Sequence, residues 1–159
     1  MPALSTTVSL LIAVALPQLA GILGAWATAS SVESWYPTLT KPWFTPPNWL
    51  FAPAWITLYL LMGIASWMIW RQGFDQRAVR WALGVYGLQL LLNAGWSPAF
   101  FGAQSLGLGL AVIIPLWLAI VATIVLFWRI VPLAGALLIP YLGWVTYATA
   151  LNLRLWQLN

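Results

Sequence analysis

The sequence lacks the side chains on which most enzymes and metal sites depend. It has no cysteine and no histidine, and its only acidic residues are Glu33 and Asp75. Without cysteine there are no disulfides and no thiolate ligands, and without histidine the commonest general base and metal ligand is missing. Hydrolases, transferases and metalloenzymes therefore fit this chain poorly, and we predict no catalytic acid or base and no metal site.

Charge of either sign is also scarce. Charged residues make up 5% of the 159 residues and hydrophobic residues 63%, whereas soluble domains carry about a quarter charged residues. This composition indicates an integral multi-pass membrane protein whose surroundings are the lipid bilayer. The net charge of +4 comes from scattered cations. They form no dense basic patch of the kind that binds nucleic acid. No charge is predicted in the middle of a span, which disfavours ion-coupled transport.

Long apolar runs separated by short polar links predict five membrane-spanning helices. The predicted spans are about 8–29, 49–70, 78–100, 105–128 and 132–156, with a loop at 30–48 and with Ser105 capping the fourth helix. Because the later links are short, successive helices should be antiparallel neighbours. The predicted fold is an all-α membrane protein, a five transmembrane helix bundle, forming one domain over residues 1–159.

The loop between the first two spans is rich in proline and aromatic residues. From Trp35 to Pro47 it reads W-Y-P-T-L-T-K-P-W-F-T-P-P. Its prolines fix φ and remove backbone donors, so it cannot form a regular helix or a central strand. Its aromatic side chains need a surface to cover, which predicts a lid folded over one end of the bundle. An interfacial aromatic belt is the alternative. The lid residues are Trp35, Lys41, Pro42, Phe44, Pro46 and Pro47.

The cations are divided unequally between the two sides of the predicted bundle. The side of the N-terminus receives Arg71, Arg77, Arg80 and Arg129, and the other side receives Lys41 and Arg154. Because cytoplasmic links carry more cations, the N-terminus is predicted in the cytoplasm and the proline-rich loop outside.

Aromatic and amide side chains follow the inward faces of three predicted spans. They are Trp55 on the second, Asn93 and Trp96 on the third, and Trp144 and Ala148 on the fifth. Indole rings could stack on a planar ligand, while the amide and the indole N–H groups bind its polar atoms. Lys41 could pair with a carboxylate at the mouth. The alternative is that these indoles fill space between helices and anchor the interfaces.

Small residues form a stripe along the first span. Ala13, Pro17, Ala20, Gly21, Gly24 and Ala27 recur at helical spacing. Such a stripe permits close approach of another helix or of a flat ligand, and the sequence leaves both interpretations open.

Three separated motifs give the chain a family resemblance. They are W-Y-x-x-L-x-K-P-x-F-x-P-P from Trp35, N-x-x-W-S-P-x-F-F-G from Asn93, and P-Y-L-x-W-x-x-Y-A-T-x-L-N from Pro140. With five spans in this order, the chain resembles bacterial-type members of the tryptophan-rich sensory protein family, also called translocator protein or peripheral-type benzodiazepine receptor.

The resemblance implies a membrane receptor or sensor that binds protoporphyrin IX and other flat ligands and regulates tetrapyrrole metabolism or a stress response. The binding residues it implies are Tyr36, Trp55, Asn93, Ser97, Trp144, Ala148 and Leu151. Trp96, on the inward face of the third span, is added to this set. No cofactor is required, since the porphyrin is the ligand. A metal-free porphyrin is preferred to haem because no His or Cys could serve as an axial ligand.

The resemblance also implies a homodimer. It leaves two functions open as alternatives to the receptor role. One is light-dependent porphyrin degradation with Trp55 and Trp144 as redox partners, and the other is porphyrin or lipid transport. Sterol recognition is not expected, because Leu151-Asn152-Leu153-Arg154 lacks the tyrosine of the animal sterol motif. Small residues offer two dimer surfaces, Ala78-x-x-x-Ala82 with Gly84 and Gly87, or Gly107-x-x-x-Ala111.

Overall fold

The computed structural model describes residues 5–159, and this part of the chain is helical without a β-strand. Its helices are α1 (Thr6–Ser34), α2 (Phe51–Trp70), α3 (Arg77–Ser97), α4 (Leu106–Ile130), α5 (Pro132–Leu137) and α6 (Ile139–Leu158). The all-α class is confirmed. The first four residues of the predicted 1–159 domain lie outside the described residues.

Four helical segments among the described residues are long and apolar enough to cross a membrane. They are Thr6–Ser34, Asn48–Trp70, Leu106–Ile130 and Pro132–Leu158. α3 has 21 residues but is less apolar, because Arg77 and Arg80 occupy its first turn and Gln89 and Asn93 follow. The chain is an integral membrane protein with several spanning helices.

The first helix continues past Ala29, the predicted end of the span, to Ser34. Its start is capped, since Val8 N–H donates to Ser5 Oγ at 3.3 Å. No proline or glycine lies between Ala29 and Ser34 to end it, and Pro37, the next proline, lies in a short 3-10 turn over Tyr36–Thr38. The irregular part of the lid loop therefore begins at residue 35 and not at 30.

Proline also sets the ends of the later helices. Pro98 follows α3, and the chain widens into a π-helical turn over Pro98–Gly102. The predicted fifth span consists of two helices, because Pro140 cannot donate to a backbone carbonyl and the chain bends at Leu138. The predicted cap of α4 is present, since Leu108 N–H donates to Ser105 Oγ at 3.2 Å.

The helices pack as a ring around a shared apolar core. α1 contacts α2 and α3, α3 contacts α4, α4 contacts α5 and α6, and α5 contacts α2. Met62, Ala65 and Ile69 of α2 are fully buried in the core. α1 and α2 approach each other closely at Gly63, where an added Cβ would lie 2.6 Å from Val14 Cα.

Candidate functional site

A cavity of about 420 Å³ opens between α1, α2 and α3. α1 supplies a wall of small residues, among them Ala20, Gly21, Gly24 and Ala25, and α2 supplies the rings of Phe51, Trp55 and Tyr59. α3 supplies Asn93, Trp96 and Ser97, and Asn48 reaches the cavity from the end of the lid loop. Flat rings thus face a surface with few projecting side chains, which suits a planar ligand.

No charged side chain is among the residues that line this cavity. Its polarity comes from neutral groups, chiefly the amides of Gln18, Asn48 and Asn93 and the hydroxyl of Ser97. Gln18 Nε2 donates to the Ile56 carbonyl at 3.0 Å, which joins α1 to α2. Because burying an unpaired charge is costly, the cavity favours an apolar ligand body.

Asn93 is the centre of a buried hydrogen-bond network that joins three helices. Tyr59 Oη donates to Asn93 Oδ1 at 2.7 Å, and Asn93 Nδ2 donates to Tyr141 Oη at 2.9 Å. Tyr141 Oη in turn donates to Gln89 Oε1 at 2.8 Å. The amide predicted to bind the ligand lines the cavity, but it already holds α2, α3 and α6 together.

The two indoles of the cavity are held differently. Trp96 Nε1 donates to Asn152 Oδ1 at 3.3 Å, and Asn152 Nδ2 donates to the Leu106 carbonyl at 3.0 Å. Trp55 stacks on Tyr59 with ring centroids 5.3 Å apart, and its indole N–H has no hydrogen-bond partner among residues 5–159. The Trp96 N–H is thus committed to the protein, whereas the Trp55 N–H makes no hydrogen bond within residues 5–159.

Ala148 lies on the other side of this wall. It lines a second, nearly filled void of about 10 Å³, whose walls include Trp55, Asn93 and Trp96. The predicted convergence of these four residues from α2, α3 and α6 is therefore present, but most of the open volume lies toward α1. Trp55 and Trp96 form the partition between the two spaces.

Three predicted binding residues line neither of these spaces. Trp144 packs edge to face on Trp55, with ring centroids 6.4 Å apart. It also lines a shallow outer groove between α2 and α6. Tyr36 and Leu151 are buried in a separate apolar cluster with Phe100. These three residues support the rings around the cavity or cover the bundle end.

The first half of the lid loop covers that apolar cluster. Trp35 packs edge to face on Phe100 at 5.8 Å, and Tyr36 packs on Phe101 at 5.6 Å. Burial, with a smaller effect of the nearby Tyr147 phenol, raises the pKa of Tyr36 above its ordinary value of 10.0. The Tyr36 hydroxyl therefore stays neutral at physiological pH.

Lys41 is engaged within the loop itself. Its Nζ lies 4.7 Å from the centroid of the Tyr36 ring and 3.4 Å from the Leu39 carbonyl, to which it donates. It does not line the cavity. The structure thus shows Lys41 in a cation–π contact within its own loop, and its predicted pairing with a ligand carboxylate stays a prediction.

The second half of the loop is attached to α6. Tyr147 Oη donates to the Phe44 carbonyl, and the Phe44 and Tyr147 rings pack edge to face. Asn159 makes two hydrogen bonds to the backbone of Thr40, accepting from its N–H at 2.9 Å and donating to its carbonyl at 3.0 Å. Within this segment Pro42 and Pro46 are buried, and Pro47 is exposed.

Comparison with known proteins now identifies the class of this helical membrane protein. The sequence model of the TspO/MBR family matches residues 13–157. The tryptophan-rich protein TspO of Archaeoglobus fulgidus is 45% identical over 87% of this chain and 89% of its own length. The translocator protein of Bos taurus is 43% identical over 91% and 86%, and the tryptophan-rich sensory protein of Cereibacter sphaeroides 40% over 86% and 85%. The chain belongs to the TspO/MBR family.

The sequence left the contribution of α1 to the site undecided. Part of the small-residue stripe packs against α2, since Gly63 lies against the backbone of Ala13 and Val14, whereas Gly21 and Gly24 line the cavity, where the flat-ligand interpretation stays a prediction. The spacing of the stripe was the available signal. It could not assign each part because both uses require small side chains.

Proposed function

We propose that this TspO/MBR-family protein is a membrane receptor that binds a flat tetrapyrrole of the protoporphyrin IX type in the cavity between α1, α2 and α3. The observation that carries the proposal is the cavity of about 420 Å³, walled by Phe51, Trp55 and Trp96 opposite glycines, without a charged residue. Its size lies in the range of about 300–1,000 Å³ that is usual for small-molecule sites.

The names of the relatives support a sensing or translocating role in preference to an enzymatic one. They are called sensory or translocator proteins. Because no cation lines the cavity, the carboxylates of a tetrapyrrole would remain toward its open side, beside Asn48.

We infer that α3, the predicted third span, also crosses the membrane, which brings the number of spans to five. Its 21 residues rise about 31 Å at about 1.5 Å per residue, enough to cross the hydrocarbon core. Its polar residues Gln89 and Asn93 are buried, and Leu88 and Leu91 are exposed to the surroundings. This inverted arrangement, with polar groups inside and apolar groups outside, suits a helix in lipid.

A homodimer through α3 is a further part of the proposal. Ala82 is fully buried, so Ala78-x-x-x-Ala82 does not present an outward surface. Gly84 and Gly87, in contrast, have open space where a Cβ would stand. Gly84→Leu should shift a dimer toward monomer by light scattering in detergent, whereas Gly143→Leu, also beside open space, should leave the oligomer unchanged.

The test of binding is a fluorescence titration of the detergent-purified protein with protoporphyrin IX in the dark. Saturable quenching of tryptophan emission is expected. Trp55→Phe should weaken binding about tenfold or more, because it removes the larger ring and the free N–H. Trp81→Phe is the matched control, since Trp81 is on α3, 62% exposed and outside the cavity. Unsaturable quenching, or equal affinities in the two variants, would overturn the proposal.

Light-dependent degradation of the bound porphyrin remains a second candidate. It is favoured by the contact of Trp55 with Trp144, which places a second indole 6.4 Å behind the cavity wall. If the two indoles act as redox partners of the excited porphyrin, illumination in the presence of oxygen should bleach the ligand, and Trp144→Phe should slow the bleaching without changing dark affinity. Equal bleaching in both proteins would exclude Trp144 as a redox partner, and bleaching no faster than that of free porphyrin would leave only the receptor function.

A further inference from the structure

The end of the bundle opposite the lid loop has a cleft of its own, about 290 Å³ in volume. It is lined by Trp67, Met68, Arg71, Gln72 and Val131. α2 ends at Trp70 and α4 ends at Ile130. The cleft therefore lies where two spanning helices leave the hydrocarbon core, at the level of lipid headgroups.

The cation of this cleft is held in place by an aromatic ring. Arg71 Cζ lies 4.8 Å from the centroid of the Trp67 ring, in cation–π geometry. Trp67 is fixed in turn, because its Nε1 donates to Ser9 Oγ of α1 at 3.2 Å. Across residues 5–159, no carboxylate and no carbonyl accepts a hydrogen bond from the Arg71 guanidinium. Its donors are thus oriented but unused.

The surroundings of the cleft are positive. Arg71, Arg77, Arg80 and Arg129, four of the six cations in the sequence, lie at this end. Asp75 is the acidic residue of this end, and Arg80 binds the backbone carbonyls of Phe74 and Asp75. Basic pockets between helices at a membrane surface attract anionic headgroups.

We propose that this cleft is a binding site for an acidic phospholipid, with the Arg71 guanidinium holding the headgroup phosphate. A planar guanidinium presents paired N–H donors that match two phosphate oxygens. Trp67, Met68 and Val131 supply an apolar wall for the glycerol and the first acyl carbons. This wall favours a lipid over free phosphate, which would gain nothing from apolar contact.

Native mass spectrometry of the delipidated full chain tests this site. Dioleoylphosphatidylglycerol and dioleoylphosphatidylcholine are titrated separately, and the first bound lipid is counted. The wild type should retain phosphatidylglycerol more strongly than phosphatidylcholine. Arg71→Gln should lower phosphatidylglycerol affinity roughly tenfold, because the paired charge-assisted hydrogen bonds from the guanidinium to the phosphate are lost. Arg77→Gln removes the same charge from the same end without touching the cleft, and should change affinity less than twofold.

Further arms separate a built site from diffuse attraction. Arg71→Lys keeps the charge but loses the planar fork, so it should bind less well than the wild type. Inorganic phosphate at millimolar concentration should not displace the lipid. Four results would each overturn the proposal. They are equal losses of affinity in Arg71→Gln and Arg77→Gln, wild-type affinity in Arg71→Lys, equal retention of the two lipids, and displacement of the lipid by phosphate. Circular dichroism checks that every variant is folded.

Discussion

The ring of Tyr59 on α2 lies directly against Gly21 on α1. A Cβ at position 21 would stand 2.3 Å from Tyr59 Cε2, closer than any real side chain allows. The same tyrosine donates to Asn93 Oδ1 at 2.7 Å and stacks on Trp55. A glycine on the first helix therefore controls the position of the polar network and of one cavity wall.

Gly21→Ala should displace the Tyr59 ring and weaken its hydrogen bond to Asn93. We expect the free energy of unfolding to fall by about 1–3 kcal/mol, as for other overpacked cores, with a parallel loss of porphyrin affinity. Gly24→Ala is the control, because its Cβ would meet Ser97 Cβ at an ordinary 3.6 Å. Chemical unfolding in detergent measures the free energy of unfolding of both variants. Equal destabilisation of the two variants would contradict the role given to Gly21.

Asn93→Leu should destabilise the bundle by leaving the Tyr59 hydroxyl without its acceptor and removing a donor from Tyr141. A loss of about 1–3 kcal/mol is expected for the buried groups left unpaired. Tyr59→Phe breaks only one of the bonds and should cost about 1 kcal/mol or less. Unfolding of the single and double variants gives their coupling energy. Strict additivity would show that the two side chains do not act as one network.

Much of the fold could be predicted from local features of the sequence. Apolar runs located the helices, and Ser105 located the start of α4, because a cap depends on neighbouring residues alone. The bend at Leu138 was missed even though Pro140 is visible in the sequence. A proline inside an apolar run either bends a helix or ends it, and the packing of its neighbours decides which.

The sequence could predict which helix faces line the candidate site, but not where the open cavity lies. Asn93 and Trp96 share a face of α3 because the helical period places residues three apart on one side, and Trp55 meets them from α2. Where open space remains depends on how closely whole helices approach, which is set by contacts such as Gly63 on Val14. The partner of Lys41 was likewise beyond sequence patterns, since a flexible cation can bind a ring of its own loop.

Ala148→Thr should weaken porphyrin binding without unfolding the bundle. The void beside Ala148 is about 10 Å³, too small for the added atoms, so the new side chain must press on Trp55 or Trp96. We expect a loss of affinity of about fivefold to thirtyfold, corresponding to about 1–2 kcal/mol of strain in the wall. Ala150→Thr, exposed on the same helix, is the matched control. Unchanged quenching curves for Ala148→Thr would place the ligand away from this wall.

Asn159→Ala should release the lid loop from α6. The substitution removes both hydrogen bonds to the Thr40 backbone, and Tyr147→Phe removes the separate bond to the Phe44 carbonyl. Hydrogen exchange of the Thr40 amide should rise about tenfold in Asn159→Ala, the ratio expected for loss of about 1.4 kcal/mol of local protection.

Gln157→Ala provides the control for this exchange measurement. Gln157 accepts from Arg154 at 3.0 Å and does not contact the loop, so Thr40 exchange should be unchanged. If the loop serves as the lid of the cavity, loosening it should also speed porphyrin dissociation, because Asn48 at its end and Phe51 at the start of α2 line the cavity. Faster Thr40 exchange with an unchanged dissociation rate would show that the loop covers the bundle end without gating the cavity.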